Sequence, residues 1–113
     1  MNVEMKSDDA IAALSALAHD HRLAVFRLLV RCGQDGMAAG AIARTLDLPN
    51  SSLSFHLAQL QQAGLVSQRR DGRSLIYAAD YAAMDGLMGF LTENCCEGAP
   101  CDPAQRNDQE HCR

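Results

Sequence analysis

Five cysteines are present in this chain of 113 residues, and four of them follow residue 94. Cys95 and Cys96 are adjacent, and Cys101 comes five positions later. Thiolates select soft metals and metalloids, and trivalent arsenic and antimony favour three sulfur ligands arranged as a pyramid. Three thiols this close along the chain need little loop closure to meet around one ion. Cys95, Cys96 and Cys101 are therefore candidate ligands for a soft metal or metalloid.

The segment that carries these cysteines is expected to leave the helical path. Neighbouring residues lie about 100° apart around a helix, so a helix through Cys95 and Cys96 would aim their thiols in different directions. Gly98 accepts a positive φ and Pro100 ends helical structure. Both features allow Cys101 to fold back over the pair.

The same thiols admit other interpretations. Upon oxidation, Cys95 or Cys96 could pair with Cys101 or Cys112 in a redox switch. Cys95 could instead pack as a small apolar side chain at a subunit interface. Cys112, beside His111, is in addition a candidate fourth ligand for zinc, cadmium or lead. Packing accounts poorly for three cysteines in a polar segment, which favours binding of a metalloid.

Charge is distributed unevenly along the chain. The formal net charge is −4, but residues 19–79 carry seven arginines and four aspartates, a net charge of +3. Residues 80–113 carry a net charge of −5. A local basic patch sets the electrostatic field at a contact, so the middle of the chain is compatible with DNA binding. Aromatic residues are scarce, with three Phe, two Tyr and no Trp, which argues against stacking on single-stranded nucleic acid or RNA.

The spacing of apolar residues predicts a single, mainly α domain with five helices. Capping residues mark the starts of three of them, at Ser7, Asp20 and Asp80. Cys32, at the end of the second helix, is expected to lie in the core. The apolar stripes of the five helices are Ile11, Leu14, Leu17 and Ala18; Leu23, Phe26, Leu29 and Val30; Ile42, Ala43 and Leu46; Leu53, Leu57 and Leu60; and Met84, Leu87, Met88 and Leu91.

The third and fourth helices match a helix-turn-helix pattern, in which the second helix enters the major groove. The third helix is predicted over residues 38–46, Pro49 breaks the chain, and the fourth helix follows. Opposite its leucine stripe the fourth helix is polar and free of acids. His56, at the edge of the stripe, is expected to make a structural contact rather than to read a base. Serines at a helix start are otherwise caps, but we predict DNA contacts by Asn50, Ser51, Ser52, Ser54 and Phe55.

A basic hairpin is predicted directly after the helix-turn-helix. Two β segments, residues 66–70 and 74–78, flank Asp71 and Gly72, a pair that favours a type I′ turn. Arginines at a hairpin tip can be merely solvated, but a basic ribbon in this position is typical of a two-stranded wing. The predicted contacts to phosphates or to the minor groove are Arg69, Arg70 and Arg73.

Several stretches of the chain resemble repressors of the ArsR/SmtB family. The segments that carry the resemblance are residues 17–23 (LAHDHRL) at the start of the second helix, residues 53–60 (LSFHLAQL) in the recognition helix, and residues 64–77 in the strand and wing. The resemblance covers about residues 10–93. It implies a homodimeric winged helix-turn-helix repressor whose first and last helices pair across the dimer. It also implies that metal binding releases double-stranded operator DNA.

The chain departs from two metal sites of this family. Residues 37–40 hold no thiol where the best-known arsenic sensors carry Cys-x-Cys, and residues 82–93 hold no His for a zinc site. Residues 94–101 (NCCEGAPC) resemble instead an arsenic-repressor subgroup with three thiols at the end of the last helix. The resemblance to this subgroup implies that Cys95, Cys96 and Cys101 bind As(III), with Sb(III) as an alternative. We predict a winged-helix domain over residues 1–97 and a polar, acidic tail over residues 98–113 that is expected to be mobile and supplies Cys101.

Other classes of function fit the sequence less well. A thiol reductase would need an activated thiol near an anion cradle, and the sequence has neither a Gly-rich anion loop nor Cys-x-x-Cys. A redox- or persulfide-sensing repressor of the same fold is the main alternative. The first residues lack a signal-peptide core and no apolar run approaches about 18 residues. We therefore expect a cytoplasmic regulator that is not an enzyme and has no membrane partner.

Overall fold

The structure is a computed structural model that describes residues 5–95. Helices predominate over this range, and a small sheet lies beside them. In chain order the elements are α1 (Ser7–Leu17), α2 (Asp20–Cys32), β1 (Met37–Ala38), α3 (Ala39–Leu46), α4 (Asn50–Gln62), β2 (Val66–Asp71), β3 (Ser74–Ala79) and α5 (Tyr81–Leu91). The predicted mainly α architecture with a hairpin between the fourth and fifth helices is confirmed.

A leucine stripe anchors α4 in the core. Leu53, Leu57 and Leu60 are at most 1% exposed, as their spacing predicts. They belong to one apolar cluster with Leu29 of α2 and Ile42 of α3. Burying a leucine side chain contributes about 1.5–3 kcal/mol. The stripe therefore fixes which face of α4 points away from the protein.

A tight turn sets α4 against α3. Asp47 adopts the left-handed conformation with φ 55°, and the Leu48 N–H donates to the carbonyl of Ala43 at 2.9 Å. Pro49 precedes α4, and its carbonyl accepts the Leu53 N–H at 3.0 Å. The predicted helix-turn-helix is present.

The sheet has three strands rather than the two that the sequence predicts. Its order is β1-β3-β2, and both pairings are antiparallel. The additional strand is short, with Met37 opposite Tyr77 and Ala38 opposite Ile76. Two residues are too few to show the alternation that identifies a strand in sequence, which is why β1 was not predicted.

The hairpin is confirmed, but its predicted turn is wrong. Asp71 pairs with Ser74, so the two loop residues are Gly72 and Arg73. Gly72 has φ 64°, and neither Asp71 nor Arg73 has a positive φ. A positive φ at the first loop residue alone is the pattern of a type II′ turn, whereas a type I′ turn needs it at both. The turn therefore places Arg73 at the tip of the wing.

Gly36 allows β1 to approach β3. Its φ is 76°, and a Cβ added at this position would overlap the carbonyl oxygen of Tyr77 in β3. Gly64, after α4, has a similar φ of 80° but no atom within 4 Å of such a Cβ. Both glycines therefore have a positive φ, but only Gly36 lacks space for a side chain.

We predict that Gly36→Ala destabilises the protein more than Gly64→Ala. Both substitutions put a side chain into a left-handed conformation, which costs about 1–2 kcal/mol. Only the first adds a steric overlap, for which a further loss of about 1–3 kcal/mol is typical. Urea unfolding followed by circular dichroism measures the difference. Equal free energies of unfolding for the two variants would contradict the tight approach of β1 to β3.

Helix starts are partly as predicted. Asp80 precedes α5, and its carboxylate accepts the Ala83 N–H at 3.0 Å, which confirms that cap. Ser7 and Asp20 are the first helical residues rather than caps. The capping positions are Lys6 and His19, and the His19 ring nitrogen Nδ1 accepts the His21 N–H at 3.2 Å. These one-residue shifts are within the usual uncertainty of helix ends.

The buried face of α1 is not the one that its large apolar residues mark. Its buried residues are Ala10, Ala13 and Ala16, whereas Ile11 is 59% exposed and Leu14 is 43% exposed. On α5, Leu87 is buried, whereas Met88 and Leu91 are more than half exposed. Helical periodicity identifies an apolar stripe but not what the stripe packs against. The exposed stripes leave an apolar surface on α1 and on α5.

None of the helices within residues 5–95 has both the length and the apolar character needed to cross a bilayer.

Candidate nucleic-acid interface and thiol segment

The first two turns of α4 present a polar face to solvent. Asn50, Ser51, Ser54 and Phe55 are exposed, and Ser52 is half-buried. Phe55 is a large apolar side chain that remains 56% exposed on this face. The structure thus brings all five predicted contact residues together at one end of the helix. The face can offer hydroxyl and amide groups to base edges and an aromatic ring to a thymine methyl.

The amino end of α4 carries no carboxylate and no side-chain cap. Pro49 is the capping residue, and it makes no side-chain hydrogen bond to the helix. The alternative that Ser51 or Ser52 serves as the cap is therefore wrong. The free N–H groups and the positive end of the helix dipole at such a terminus favour a phosphate group.

Three exposed arginines lie on the wing, but their surroundings differ. Arg69 and Arg70 belong to β2, and Arg73 lies in the loop. The Arg69 guanidinium donates to the carbonyl oxygen of Asp35 at 2.9 Å, which ties the wing to the turn before β1. Gln68 and Tyr77 add a side-chain hydrogen bond of 2.7 Å across the sheet. The wing is thus held against the body of the protein, with Arg73 at its tip.

We predict that Arg73→Ala weakens binding to all duplex sequences alike. A phosphate contact carries no base information, and losing one should reduce the slope of log affinity against log salt concentration by about 1. Titrations at several salt concentrations, with promoter and scrambled duplexes, measure both quantities. Arg31→Ala, an exposed arginine in the last turn of α2, is the control and should leave the slope unchanged. A loss confined to the promoter duplex would contradict a phosphate contact.

A cluster of histidines lies beneath the exposed face of α4. His56 is only 6% exposed, and its ring nitrogen Nδ1 accepts a hydrogen bond from Nε of Arg22 at 3.2 Å. Its ring centroid lies 4.8 Å from that of His19 and 5.6 Å from that of His21. Burial lowers the pKa of His56, and the neighbouring His19, Arg22 and His21 lower it further. The prediction that His56 makes a structural contact is confirmed.

Arg22 is a residue that sequence reasoning did not assign to the site. Its guanidinium carbon lies 5.4 Å from the centroid of the Phe55 ring, so one side chain contacts both the buried His56 and the exposed Phe55. These residues are 33 and 34 positions away along the chain, and helical periodicity relates residues within one helix only. The signal in the sequence was the run of ionisable residues from His19 to Arg22.

The last helix ends before the cysteine cluster. The final residue of α5 is Leu91, Asn94 has φ 60°, and the Cys95 N–H donates to the carbonyl of Thr92 at 2.9 Å. The expectation that the helical path ends near Cys95 is therefore confirmed. Cys95 is half-buried. Two of the predicted ligands, Cys96 and Cys101, lie outside the described residues, as do Cys112, His111 and the proposed tail.

Within residues 5–95, no three His, Cys, Asp or Glu side chains are arranged to hold a metal ion. The histidine cluster is therefore not a metal site in this arrangement. Cys32, at the end of α2, was predicted to lie in the core; it is half-buried and packs against the edge of the core.

Several proteins of similar sequence are named as transcriptional regulators or repressors, and one is named as a nodulation protein. A family described as "Helix-turn-helix domain" matches residues 17–69. The nodulation protein NolR of Rhizobium meliloti is 38% identical over 92 residues, which span 80% of this chain and 73% of NolR. A putative arsenical resistance operon repressor ArsR of Halobacterium salinarum is 36% identical over 63 residues, covering 56% of this chain and 48% of that protein.

Solved structures of ArsR-type regulators share the fold. An ArsR-like transcriptional regulator from Rhodococcus sp. RHA1 superposes with a TM-score of 0.67, at 25% identity over 74% of this chain and 76% of its own. This chain belongs to the ArsR/SmtB family. Reduced HlyU from Vibrio cholerae superposes with a TM-score of 0.61, at 31% identity over 75% of this chain and 90% of HlyU. A homodimeric winged helix-turn-helix domain from Mycobacterium bovis superposes with a TM-score of 0.61, at 24% identity over 94% of this chain and 87% of that domain.

As a member of this family, the chain is a transcriptional regulator. The resemblance on which it was first predicted is confirmed at the level of the family. Its membership of an arsenic-responsive subgroup of the family stays a prediction.

Proposed function

We propose that this ArsR/SmtB-family regulator is a homodimeric repressor that binds double-stranded operator DNA through α4 and the wing. The observation that carries the proposal is the exposed, acid-free face of α4 with its uncapped amino end. Such a helix fits the major groove, and a basic wing beside it contacts the backbone or the minor groove. The proposed base contacts come from Asn50, Ser51, Ser52, Ser54 and Phe55, and the proposed backbone contacts from Arg69, Arg70 and Arg73.

The dimer in this proposal forms through α1 and α5. These two helices pack against each other, and each carries exposed apolar residues: Ile11, Leu14, Met88 and Leu91. We call these four residues the α1–α5 face. Exposed apolar residues on adjacent elements favour a protein interface. In a two-fold dimer, two recognition helices about 34–36 Å apart meet successive major grooves of a palindromic operator.

The inducer in this proposal is As(III), or Sb(III), held by Cys95, Cys96 and Cys101. Two observations support it: Cys95 lies four residues after the last residue of α5, and the chain resembles a putative arsenical resistance operon repressor over 63 residues. Because α5 contributes to the α1–α5 face, a metalloid bound at its end can alter the spacing of the two recognition helices. By linkage, DNA must weaken metalloid binding as much as the metalloid weakens DNA binding.

Thiol oxidation is the second candidate for induction. It is favoured by the likeness to HlyU, whose structure was solved in a reduced form. In this alternative two thiols among Cys95, Cys96, Cys101 and Cys112 form a disulfide, and peroxide takes up the two electrons and two protons to give water. Both candidates use the same segment of the chain.

One titration series tests the operator and the inducer together. Fluorescence anisotropy of a labelled duplex with the promoter sequence upstream of the gene is compared with that of a scrambled duplex, and arsenite, zinc and hydrogen peroxide are added separately. We expect tighter binding to the promoter and release by arsenite. Equal affinity for both duplexes would contradict operator binding. Release by peroxide but not by arsenite would replace the metalloid with a redox signal.

A further inference from the structure

Arg22 connects the buried and exposed sides of the recognition helix. On the buried side its Nε donates to Nδ1 of His56 at 3.2 Å, and on the exposed side its guanidinium stacks over the Phe55 ring at 5.4 Å. Arg22 itself belongs to α2, which packs against α4 in the core. One side chain of α2 therefore contacts both the buried and the DNA-facing side of α4.

The contact between Arg22 and His56 requires a neutral imidazole. Nδ1 of His56 accepts the hydrogen bond, and a protonated imidazole has no acceptor because both ring nitrogens then donate. Protonation would also place a second cation beside the guanidinium at a part-buried contact, where like charges repel each other. Protonation of His56 thus removes the hydrogen bond to Arg22 and adds repulsion between the two side chains.

The groups that act electrostatically on His56 all come from the start of α2. They are His19, Arg22 and His21, and all of them disfavour the imidazolium. Helices α1 and α3 and strand β2 also pack against α4, but in the described part of the chain they contribute none of the groups that act on this imidazole. Asp20 lies between the two exposed histidines and is not among these groups either.

The displaced guanidinium has space to occupy. Arg22 lines a pocket of about 290 Å³ between α1, α2 and α4. The other side chains around this pocket are small or uncharged: Ala12, Ser15, Ala16, Gln59, Gln62 and Ala63. This pocket therefore leaves room for the guanidinium to move away from His56 and Phe55.

We propose that Arg22 and His56 form a pH-sensitive latch that positions the recognition helix, and that protonation of His56 opens the latch and weakens sequence-specific DNA binding. The proposal rests on the operator binding proposed above. Both residues are positioning residues in it, because they act on the DNA-facing side chains through Phe55 and the backbone of α4. Neither is assigned a contact to DNA.

The direction of the pH effect follows from the surroundings of His56. Its pKa lies below the ordinary value of 6.5, chiefly because the imidazole is buried. The latch is therefore closed at neutral pH, and it is lost as the pH falls below 6.5 through the lowered pKa. Attraction to the phosphates acts on a duplex of any sequence. The ratio of promoter affinity to scrambled-duplex affinity therefore isolates the effect on sequence-specific binding.

The test is a pH series of anisotropy titrations at constant ionic strength with both duplexes. Between pH 7.5 and 5.5 we expect the affinity ratio of the wild type to fall by less than about tenfold, because the pKa of His56 lies below 6.5 and one linked proton changes an equilibrium by at most about tenfold per pH unit. His56→Asn retains an acceptor near the position of Nδ1 and cannot be protonated, so its ratio should stay constant. His21→Asn, from the exposed part of the cluster, keeps His56 and removes one of the groups that lower the pKa of His56, so its ratio should still fall, at slightly higher pH than in the wild type.

Arg22→Gln provides a second variant in case His56→Asn folds poorly. The amide keeps a donor for His56 and removes the repelling charge, so the fall of the ratio should move to higher pH. A constant ratio in the wild type, or the same fall in His56→Asn as in the wild type, would overturn the latch while leaving operator binding intact. Equal affinity for the two duplexes at pH 7.5 would instead overturn operator binding, and the latch with it.

Discussion

Replacing Ile11 and Leu14 together by glutamate is expected to convert the dimer to monomers and to weaken operator binding by at least about 100-fold. Two half-sites bound by one linked pair gain about 10²–10⁴ in avidity over separate binding, and monomers lose this gain. Both side chains are exposed in the single chain, by 59% and 43%, so the substitution should not disturb the fold. Analytical ultracentrifugation and promoter anisotropy measure the two effects.

The control for this variant is Ala12→Glu, which adds a carboxylate to α1 outside the apolar stripe. Ala12 is exposed and is not part of the α1–α5 face. This variant should remain dimeric, and it is a control for the oligomeric state alone because Ala12 lines the pocket beside Arg22. If the double variant also stayed dimeric, with wild-type affinity, then the dimer would have to use another surface.

Cys95→Ser and Cys96→Ser should each leave operator binding intact and abolish its release by arsenite. In the wild type, arsenite is expected to weaken promoter binding by about 5–150-fold, the range that is typical of coupling between two sites. A hydroxyl is a poor ligand for a soft metalloid, so either variant loses one of three sulfurs and with it the coupling. Anisotropy of the preformed DNA complex during an arsenite titration measures the release.

Cys112→Ser is the matched control, because it removes a thiol of the same segment from outside the proposed trio. It should release DNA as the wild type does, and a loss of release would make Cys112 a fourth ligand. Normal release by the Cys95 and Cys96 variants would show that the metalloid acts elsewhere. If a variant with serine at Cys95, Cys96, Cys101 and Cys112 responded to peroxide as the wild type does, oxidation of these thiols would be excluded as the signal.

The sequence predicted the parts of the fold that depend on neighbours along the chain. Leu53, Leu57 and Leu60 repeat at helical spacing, and only one face of α4 can then be polar. The same rule failed on α1, where small alanines fill the space against the core and Ile11 and Leu14 face outward. An apolar stripe looks the same in sequence whether it meets the core or a second subunit.

The periodicity of apolar residues could not predict contacts between residues that are far apart along the chain. The pairing of Met37 with Tyr77 joins residues 40 positions apart, and it depends on a glycine at position 36 that accepts a positive φ. The contacts of Arg22 with His56 and Phe55 arise only when α2 crosses α4. The predicted DNA contacts could be placed on one face because they lie within two turns of a single helix.

X-ray absorption spectroscopy at the arsenic edge, on the full chain incubated with arsenite, tests the central claim most directly. The claim is that sulfur ligands near the end of α5 hold the inducer. The account predicts a first shell of three sulfur neighbours in the wild type, and a sulfur replaced by a lighter neighbour in Cys95→Ser. A first shell that contained only oxygen in the wild type would contradict it.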